Sequence, residues 1–275
     1  MSRQGYPDIE ELQHEMALIE LDTDFGRLLK GKDVVIVGPA EILRGKGLGQ
    51  MIDAHDLVVR LNTAIQHMPF NLELANDIGT RTDILYCNNE VIIKHILLQR
   101  GISHEKFRRV CEEAGIKYLV STNNGFTFPA TDEPAPHCWS EYLAFNLFLK
   151  QQGLRMGFRM LYSTSARART LLSGYTGRTG FLALLDLLSY DIQGLAITGM
   201  TFYHGGGHLF FEDCASSLHP MKDHQGQESP ESVKGHNSYL ELELMRKLAR
   251  LYGPKLQLDE YLQKLLDVHG AREGL

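Results

Sequence analysis

The stretch Asp33-Val34-Val35-Ile36-Val37-Gly38 decides the fold of this chain. Four consecutive β-branched residues closed by a glycine predict a strand that is buried on both faces. A glycine-rich loop follows at 45–49, and the apolar pair Met51-Ile52 then begins a helical pattern. Strand, loop and helix in this order predict the first unit of an α/β sheet.

Further apolar segments repeat this unit along the chain. Short strands alternate with helices, which predicts an α/β fold with a Rossmann-like, mostly parallel sheet flanked by helices. The predicted strands lie at 57–61, 83–87, 117–120 and 194–199, and the predicted helices at 89–100, 104–114, 139–151, 165–172, 181–188, 238–252 and 258–268.

The chain shows no linker or internal repeat, so we predict a single domain over residues 31–275. An amphipathic helix over residues 8–29 predicts an N-terminal helical arm at residues 1–30. Two stretches rich in glycine and polar residues, 121–136 and 200–235, predict long loops, which in compact domains are often functional.

The composition excludes several classes of protein. The 275 residues carry 28 Lys and Arg against 34 Asp and Glu, a formal net charge of −6, so nucleic acid is not an expected partner. The longest uncharged stretch, 192–211, contains glycines and histidines, and we predict no transmembrane segment. The four cysteines form no C-x-x-C pair and the first residues are polar, which favours a cytoplasmic location, with peripheral attachment to a membrane left open.

Two glycine-containing segments are candidates for binding an anion. The first, 38–49, forms neither G-x-G-x-x-G nor a P-loop, and a plain tight turn explains it equally well. The second, Gly177-Arg178-Thr179-Gly180, opens an apolar helix. Backbone N–H groups there could receive a phosphate or carboxylate, or Thr179 could simply be an N-cap.

Neither candidate metal motif is expected to hold a metal ion. Asp22-Thr23-Asp24 has the D-x-D pattern, but it precedes the first strand and is interpreted as a solvated helix end. His204 and His208 are separated by three glycines, which disfavour a helix that presents both rings to one zinc ion. The other histidines of this loop are interpreted as loop surface or as acid–base groups.

His236 is the candidate general base. It lies just before a helix that Ser238 could cap, with Glu241 completing the capping-box pattern Ser-x-x-Glu. Because a helix N-terminus disfavours an additional positive charge, we expect the imidazole to stay neutral and able to accept a proton.

Three blocks of this sequence resemble the motifs of one family, and they occur in the family's order over residues 33–241. The large sialylmotif of the sialyltransferases, glycosyltransferase family 29, is similar to Val35–Gly38, Gly49, Ile52-Asp53, Asp56–Asn62 and Asp77–Thr82. The small sialylmotif is similar to Gly177–Gly180, the helix after it and Gly199-Met200-Thr201-Phe202. His236 and Glu241 match the final H-x-x-x-x-E motif.

This resemblance implies a metal-independent, inverting glycosyltransferase without a cofactor, in which a CMP-sugar is a co-substrate. The implied donor is CMP-sialic acid or CMP-Kdo, and the implied acceptor is a hydroxyl of a carbohydrate or glycolipid. The resemblance also implies that Asn62 contacts CMP, that Thr179 and Gly180 receive the donor's carboxylate or phosphate, and that His236 is the catalytic base. Glu241 is either its catalytic companion or only a cap. The other donor-binding candidates are Gly38, Pro39, Gly199, Met200, Thr201 and Phe202, with His219 and His224 as candidates for the leaving phosphate.

The chain departs from the family pattern at two places. The family's two linked cysteines are replaced, the first by Lys32 or Asp33 and the second by Tyr190, which implies a divergent member without that disulfide. The family's G-N-S turn is Gly38-Pro39-Ala40, which removes one asparagine contact with the nucleotide. The alternative functions are a non-catalytic nucleotide- or carbohydrate-binding module on the same fold and a zinc hydrolase built on the histidine loop.

Overall fold

The computed structural model describes residues 7–68, 70–88, 101–122, 144, 147–148, 156–202, 204, 209 and 236–270. The described strands are β1 (Asp33–Val37), β2 (Leu57–Leu61), β3 (Ile84–Cys87), β4 (Tyr118–Ser121), β5 (Gly157–Met160), β6 (Gly194–Thr198) and β7 (Leu256–Leu258). The described helices are α1 (Ile9–Ala17), α2 (Thr23–Leu29), α3 (Gly49–Asp53), α4 (Leu72–Ile78), α5 (His104–Glu113), α6 (Tyr162–Leu171), α7 (Thr179–Leu188), α8 (Ser238–Tyr252) and α9 (Glu260–Gly270).

The seven strands form one sheet in the order β5-β4-β3-β2-β1-β6-β7. Every neighbouring pair is parallel, and helices pack on both faces, so the predicted α/β fold is confirmed. The edge strands β5 and β7 were not predicted. The predicted helices at 89–100 and 139–151 lie outside the described residues, apart from helical residues 144, 147 and 148.

The first strand is buried on both faces, as its sequence predicted. Val34 and Ile36 belong to the main hydrophobic cluster, whereas Val35 and Val37 belong to another cluster. Because side chains alternate along a strand, these two sets face opposite sides of the sheet. The sheet is therefore the middle layer of three.

The N-terminal segment forms two helices rather than the single predicted helix. Asp8 begins α1 with a capping box that includes Glu11, and Asp22 begins α2 by accepting the N–H of Phe25 at 2.8 Å. A strong N-cap residue favours a new helix start, which explains the break. Asp22-Thr23-Asp24 is therefore a helix end, as predicted. Leu12 and Phe25 are fully buried in the main cluster.

Two backbone hydrogen bonds join the segment before β1 to the segment before β6. The N–H of Gly31 donates to the carbonyl of Asp191 at 2.7 Å, and the N–H of Gln193 donates to the carbonyl of Lys32 at 2.8 Å. Tyr190 lies beside this joint, and its hydroxyl accepts the N–H of Asp22, the N-cap residue of α2, at 2.9 Å. Hydrogen bonds and packing thus connect the two segments in the region where the resemblance implies a disulfide in the family.

Cys87 and Cys111, the two cysteines within the described residues, carry buried thiols. Burial raises the pKa of both thiols, that of Cys111 to about 12. Since the thiolate is the reactive form, both side chains act as small apolar core residues. Cys138 and Cys214 lie outside the described residues.

A buried polar network lies beneath α7. The Asp186 carboxylate is fully buried and accepts hydrogen bonds from Tyr86 Oη at 2.6 Å, Thr164 Oγ1 at 3.1 Å and Arg159 Nη1 at 2.8 Å. Burial raises the pKa of Asp186, and the Arg159 charge and these hydrogen bonds oppose that rise. The network therefore ties α7 to β3, β5 and α6.

We expect Arg159→Met to lower the free energy of unfolding by about 3–5 kcal/mol, because the substitution leaves the Asp186 carboxylate buried without its cation. The measurement is urea denaturation at neutral pH. Arg27→Met is the matched control: it removes an ion pair with Asp24 whose side chains are 75% and 77% exposed. That change should cost at most about 1 kcal/mol. Equal losses in the two variants would contradict the role of the network.

Candidate functional site

The two halves of the sheet meet between β1 and β6, where the strand order reverses. Strands β1 to β5 run outward in one direction, and β6 and β7 lie on the other side of β1. In open parallel sheets, ligands bind in the crevice outside the carboxyl ends of the strands at this switch point. Gly38 follows β1 and Gly199 follows β6, so both lie at the predicted place.

The backbones of Gly38 and Gly199 approach each other very closely. A Cβ added to Gly38 would lie 2.1 Å from the carbonyl oxygen of Gly199, a distance that no side chain tolerates. That carbonyl accepts the N–H of Ala40 at 3.1 Å, and the N–H of Gly199 donates to Asp259 Oδ2 at 2.8 Å. The Pro39 carbonyl accepts the N–H of Leu209 at 2.7 Å. These contacts form a rigid floor for the crevice.

A polar cluster lies beside this floor. Asn62, directly after β2, has a left-handed backbone with φ +48°, and its Oδ1 accepts the N–H of Asn88 at 2.8 Å. Thr179 Oγ1 lies 3.4 Å from the same oxygen and 3.3 Å from Thr122 Oγ1. The cluster therefore joins the ends of β2, β3 and β4 to the first residue of α7.

Asn88 and Thr122 were missed by the sequence analysis. Each follows directly after a strand in the structure, as the predicted site residue Asn62 does. A polar residue at the carboxyl end of a buried strand is the signal that could have identified both.

The structure contradicts the alternative in which Thr179 is only the N-cap residue of α7. Arg178 is the N-cap residue and makes no side-chain capping bond, so Thr179 is the first helical residue and its hydroxyl faces the polar cluster. A Cβ added to Gly180 would lie 2.7 Å from Met200 Cε and 3.2 Å from Leu61 Cδ1. The helix therefore opens against the end of β2 and the segment after β6.

The predicted capping box at α8 is wrong. The N-cap residue is Asn237, whose Oδ1 accepts the N–H groups of Tyr239 and Leu240, both at 3.1 Å. Asparagine is a strong N-cap, and it lies one residue before Ser238, which becomes the first helical residue. Glu241 is thus released from the capping role.

Glu241 instead connects α8 to the start of α7. Its carboxylate is fully buried and accepts the backbone N–H of Arg178 at 2.7 Å and the Arg178 Nη1 at 2.9 Å. Because both carboxylate oxygens are used, the two helix starts are held in a fixed relation.

The loop 176–178, which ends at Arg178, orients His236. Its Nδ1 lies 2.5 Å from the carbonyl oxygen of Thr176. A carbonyl oxygen only accepts, so Nδ1 carries the proton and Nε2 of the neutral ring is the acceptor. Burial, and then the charge of Arg178, lower the pKa of His236 from its ordinary value of 6.5, and the hydrogen bond to Thr176 opposes this. The lowered pKa favours the neutral form of the ring.

Most of the predicted site residues lie in three neighbouring groups. The floor contains Gly38, Pro39 and Gly199, the α7 start contains Asn62, Thr179, Gly180 and Met200, and the α8 start contains His236 and Glu241. Phe202 is buried in the main cluster, and the Thr201 carbonyl accepts the N–H of His204 at 2.8 Å. His208, His219 and His224 lie outside the described residues.

The described part of the chain contains neither a metal-binding cluster nor a helix that could span a membrane. No group there of three or more His, Cys, Asp or Glu side chains is arranged to hold a metal ion. None of its helices combines the length and the apolar character that crossing a bilayer requires.

The fold is that of a doubly wound α/β protein. Near its topological switch point lie the N-terminus of α7 and a histidine whose tautomer is fixed by a hydrogen bond. Residues 21–119 match the family model of glycosyltransferase family 29 (sialyltransferase). The matched segment contains the residues that resemble the large sialylmotif, whereas the residues that resemble the small and final motifs lie outside it.

The chain is also similar to individual proteins of that kind. It is 38% identical over 66 residues to "Sialyltransferase-like protein 2" of Oryza sativa subsp. indica, which is 24% of this chain and 15% of that protein. It thus spans only a small part of the length of this curated relative.

Two solved structures resemble the chain at low identity. A mammalian sialyltransferase in complex with Gal-beta-1-3GalNAc-ortho-nitrophenol is 13% identical, with 94% of this chain and 81% of that chain covered and a TM-score of 0.47. The sialyltransferase CstII from Campylobacter jejuni in complex with the substrate analogue CMP-3FNeuAc is 13% identical, with 82% and 79% covered and a TM-score of 0.46.

We expect Gly38→Ala to lower the free energy of unfolding by about 1–3 kcal/mol, because the added Cβ collides with backbone that cannot rotate away. Gly26→Ala is the matched control. Its Cβ would meet Tyr190 at an ordinary 3.4 Å inside helix α2, and alanine should stabilise that helix by about 0.5–1 kcal/mol. Thermal and urea denaturation measure both changes, and a loss of stability of the same size in the two variants would contradict the close approach.

Proposed function

We propose that this protein is a CMP-sugar-dependent glycosyltransferase that moves an acidic sugar, sialic acid or Kdo, to a hydroxyl of a carbohydrate or glycolipid. The transfer inverts the anomeric centre and needs no metal ion. The observation that carries this proposal is the short loop 176–178, which connects the candidate base His236 directly to the helix start that presents Thr179. The match of residues 21–119 to the sialyltransferase family supports the same reaction.

The start of α7 provides the place for the donor's phosphate or carboxylate. The N–H groups of Thr179 and Gly180 have no partner within the helix, and the helix dipole favours an anion there. The Thr179 hydroxyl lies beside these groups and Asn62 supplies a side-chain amide. CMP leaves as a monophosphate, so amide and hydroxyl donors stabilise the charge that develops on it, the role that a divalent ion has in other transferases.

His236 provides the base. The acceptor hydroxyl attacks the anomeric carbon, its proton passes to Nε2, and the bond between that carbon and the phosphate oxygen breaks with its electron pair leaving on CMP. A single displacement of this kind inverts the configuration. A positioned base contributes about 10²–10⁴-fold to such a reaction.

A second candidate function is a binding module on the same fold. Its support is Pro39, which stands where the family has a nucleotide-contacting asparagine and whose carbonyl is bound to Leu209. Stabilisation by CMP without turnover of either CMP-sialic acid or CMP-Kdo would favour this module over the transferase.

We expect the protein to release CMP from CMP-sialic acid or CMP-Kdo in the presence of EDTA and a panel of galactoside acceptors. The His236→Gln variant should lose about 10²-fold or more in kcat, because the base is removed, while CMP still binds. The exposed His14 gives the control variant His14→Gln. CMP release measured by a coupled assay, with CMP binding by calorimetry, tests the assignment, and near-normal turnover by His236→Gln would remove it.

We expect kcat/KM to fall at acidic pH with an apparent pKa below 6.5, because the pKa of His236 is lowered. The neutral ring is the base, so activity is complete above that pKa and is lost as the ring gains a proton below it. A pH–rate profile between about pH 4.5 and 8.5 covers the transition of a histidine. An acidic limb with its midpoint above 6.5 would contradict the lowered pKa.

A further inference from the structure

We propose that Arg178 is a positioning residue for His236, acting through its paired bonds with Glu241 and through its own positive charge. This inference rests on the proposed function, in which His236 is the base. The sequence motifs assigned roles to Thr179, Gly180, His236 and Glu241 and gave none to Arg178.

Arg178 is bound twice by one carboxylate. Glu241 Oε1 accepts its backbone N–H at 2.7 Å and Oε2 accepts its Nη1 at 2.9 Å. The Glu241 side chain is fully buried and the Arg178 side chain is 17% exposed. Breaking a charge pair that is removed from water in this way is strongly destabilising.

Two contacts join the loop 176–178 to the segment 236–241, which begins with the base His236. Thr176, two residues before Arg178, holds His236 Nδ1, and Glu241, five residues after His236, holds Arg178. The loop 176–178 and the segment 236–241 are thus fastened to each other at both ends. A shift of Arg178 would move the Thr176 carbonyl and with it the direction in which Nε2 points.

The guanidinium also acts on the charge state of the ring. The positive charge of Arg178 lowers the pKa of the ring in addition to burial. Glu241 acts on the ring through Arg178, since it partly neutralises the guanidinium. The neutral, proton-accepting form of the ring is thereby favoured near pH 7.

The two partners of the pair should have opposite effects on His236. Removing the positive charge with Arg178→Met should raise the pKa of His236, by about half a unit or more. Removing the negative charge with Glu241→Gln should lower it, because the guanidinium is no longer partly neutralised. A merely structural loosening would admit water in both variants, and the pKa would then rise in both.

The test is an NMR titration of the His236 ring in the full chain, with the signal assigned by its loss in His236→Gln. A rise in Arg178→Met together with a fall in Glu241→Gln supports the inference. Changes of the same sign, or no change in either variant, overturn it. Arg178→Lys keeps the charge and serves if Arg178→Met does not fold: the pKa should stay at its original value there, and a rise would overturn the inference.

This titration needs no enzymatic turnover, so it separates the two proposals. Absence of CMP release by the unaltered protein would refute the proposed function. The titration would still test the effect of Arg178 on the pKa of His236. If the protein is active, the acidic limb of kcat/KM should move to higher pH in Arg178→Met by the same amount as the ring's pKa. An unmoved limb alongside a shifted pKa would show that Arg178 does not act through His236 in the reaction.

Discussion

The close approach of two backbone segments at the centre of the sheet is the constraint on which the site depends. Gly38 and Gly199 follow adjacent parallel strands, and the two backbones come so near that a side chain at position 38 would collide with the Gly199 carbonyl. Asp259, at the end of β7, fixes the second loop by accepting the Gly199 N–H. Met200 then packs against Gly180, which sets the position of α7. The location of the helix start is thus a consequence of how β1 and β6 meet.

The core of this fold is readable from the sequence because it depends on local patterns. Continuous apolar runs such as 34–37 and 57–59 are buried on both faces of the sheet, and such runs are typical of central parallel strands. The edge strands could not be predicted in this way. β5 contains Arg159, whose charge is compensated by Asp186 from a distant helix, and β7 has only three residues with Gln257 in the middle. The pairing that makes these segments strands is supplied by the neighbouring strand.

The candidate site was predictable where one residue type has one physical role. The Thr179-Gly180 pair and His236 were identified because a helix start and an imidazole before a helix suggest a chemistry by themselves, and Asn62 was identified through the resemblance to the large sialylmotif. The connections between them were not predictable. Asn237 competes with Ser238 for the cap, and only the folded chain shows that Glu241, thus released, reaches Arg178 63 residues away. Pairwise contacts over such separations leave no periodic signal in a single sequence.

The joint between the segments that precede β1 and β6 consists of amide-to-carbonyl bonds and an aromatic side chain, in place of a covalent crosslink. Such a joint has no oxidised and reduced forms. Its strength is independent of the thiol–disulfide potential of the surroundings, and the buried Cys87 and Cys111 offer no thiolate that could exchange with a passing disulfide. The architecture of this region is therefore indifferent to the redox conditions in which the chain folds.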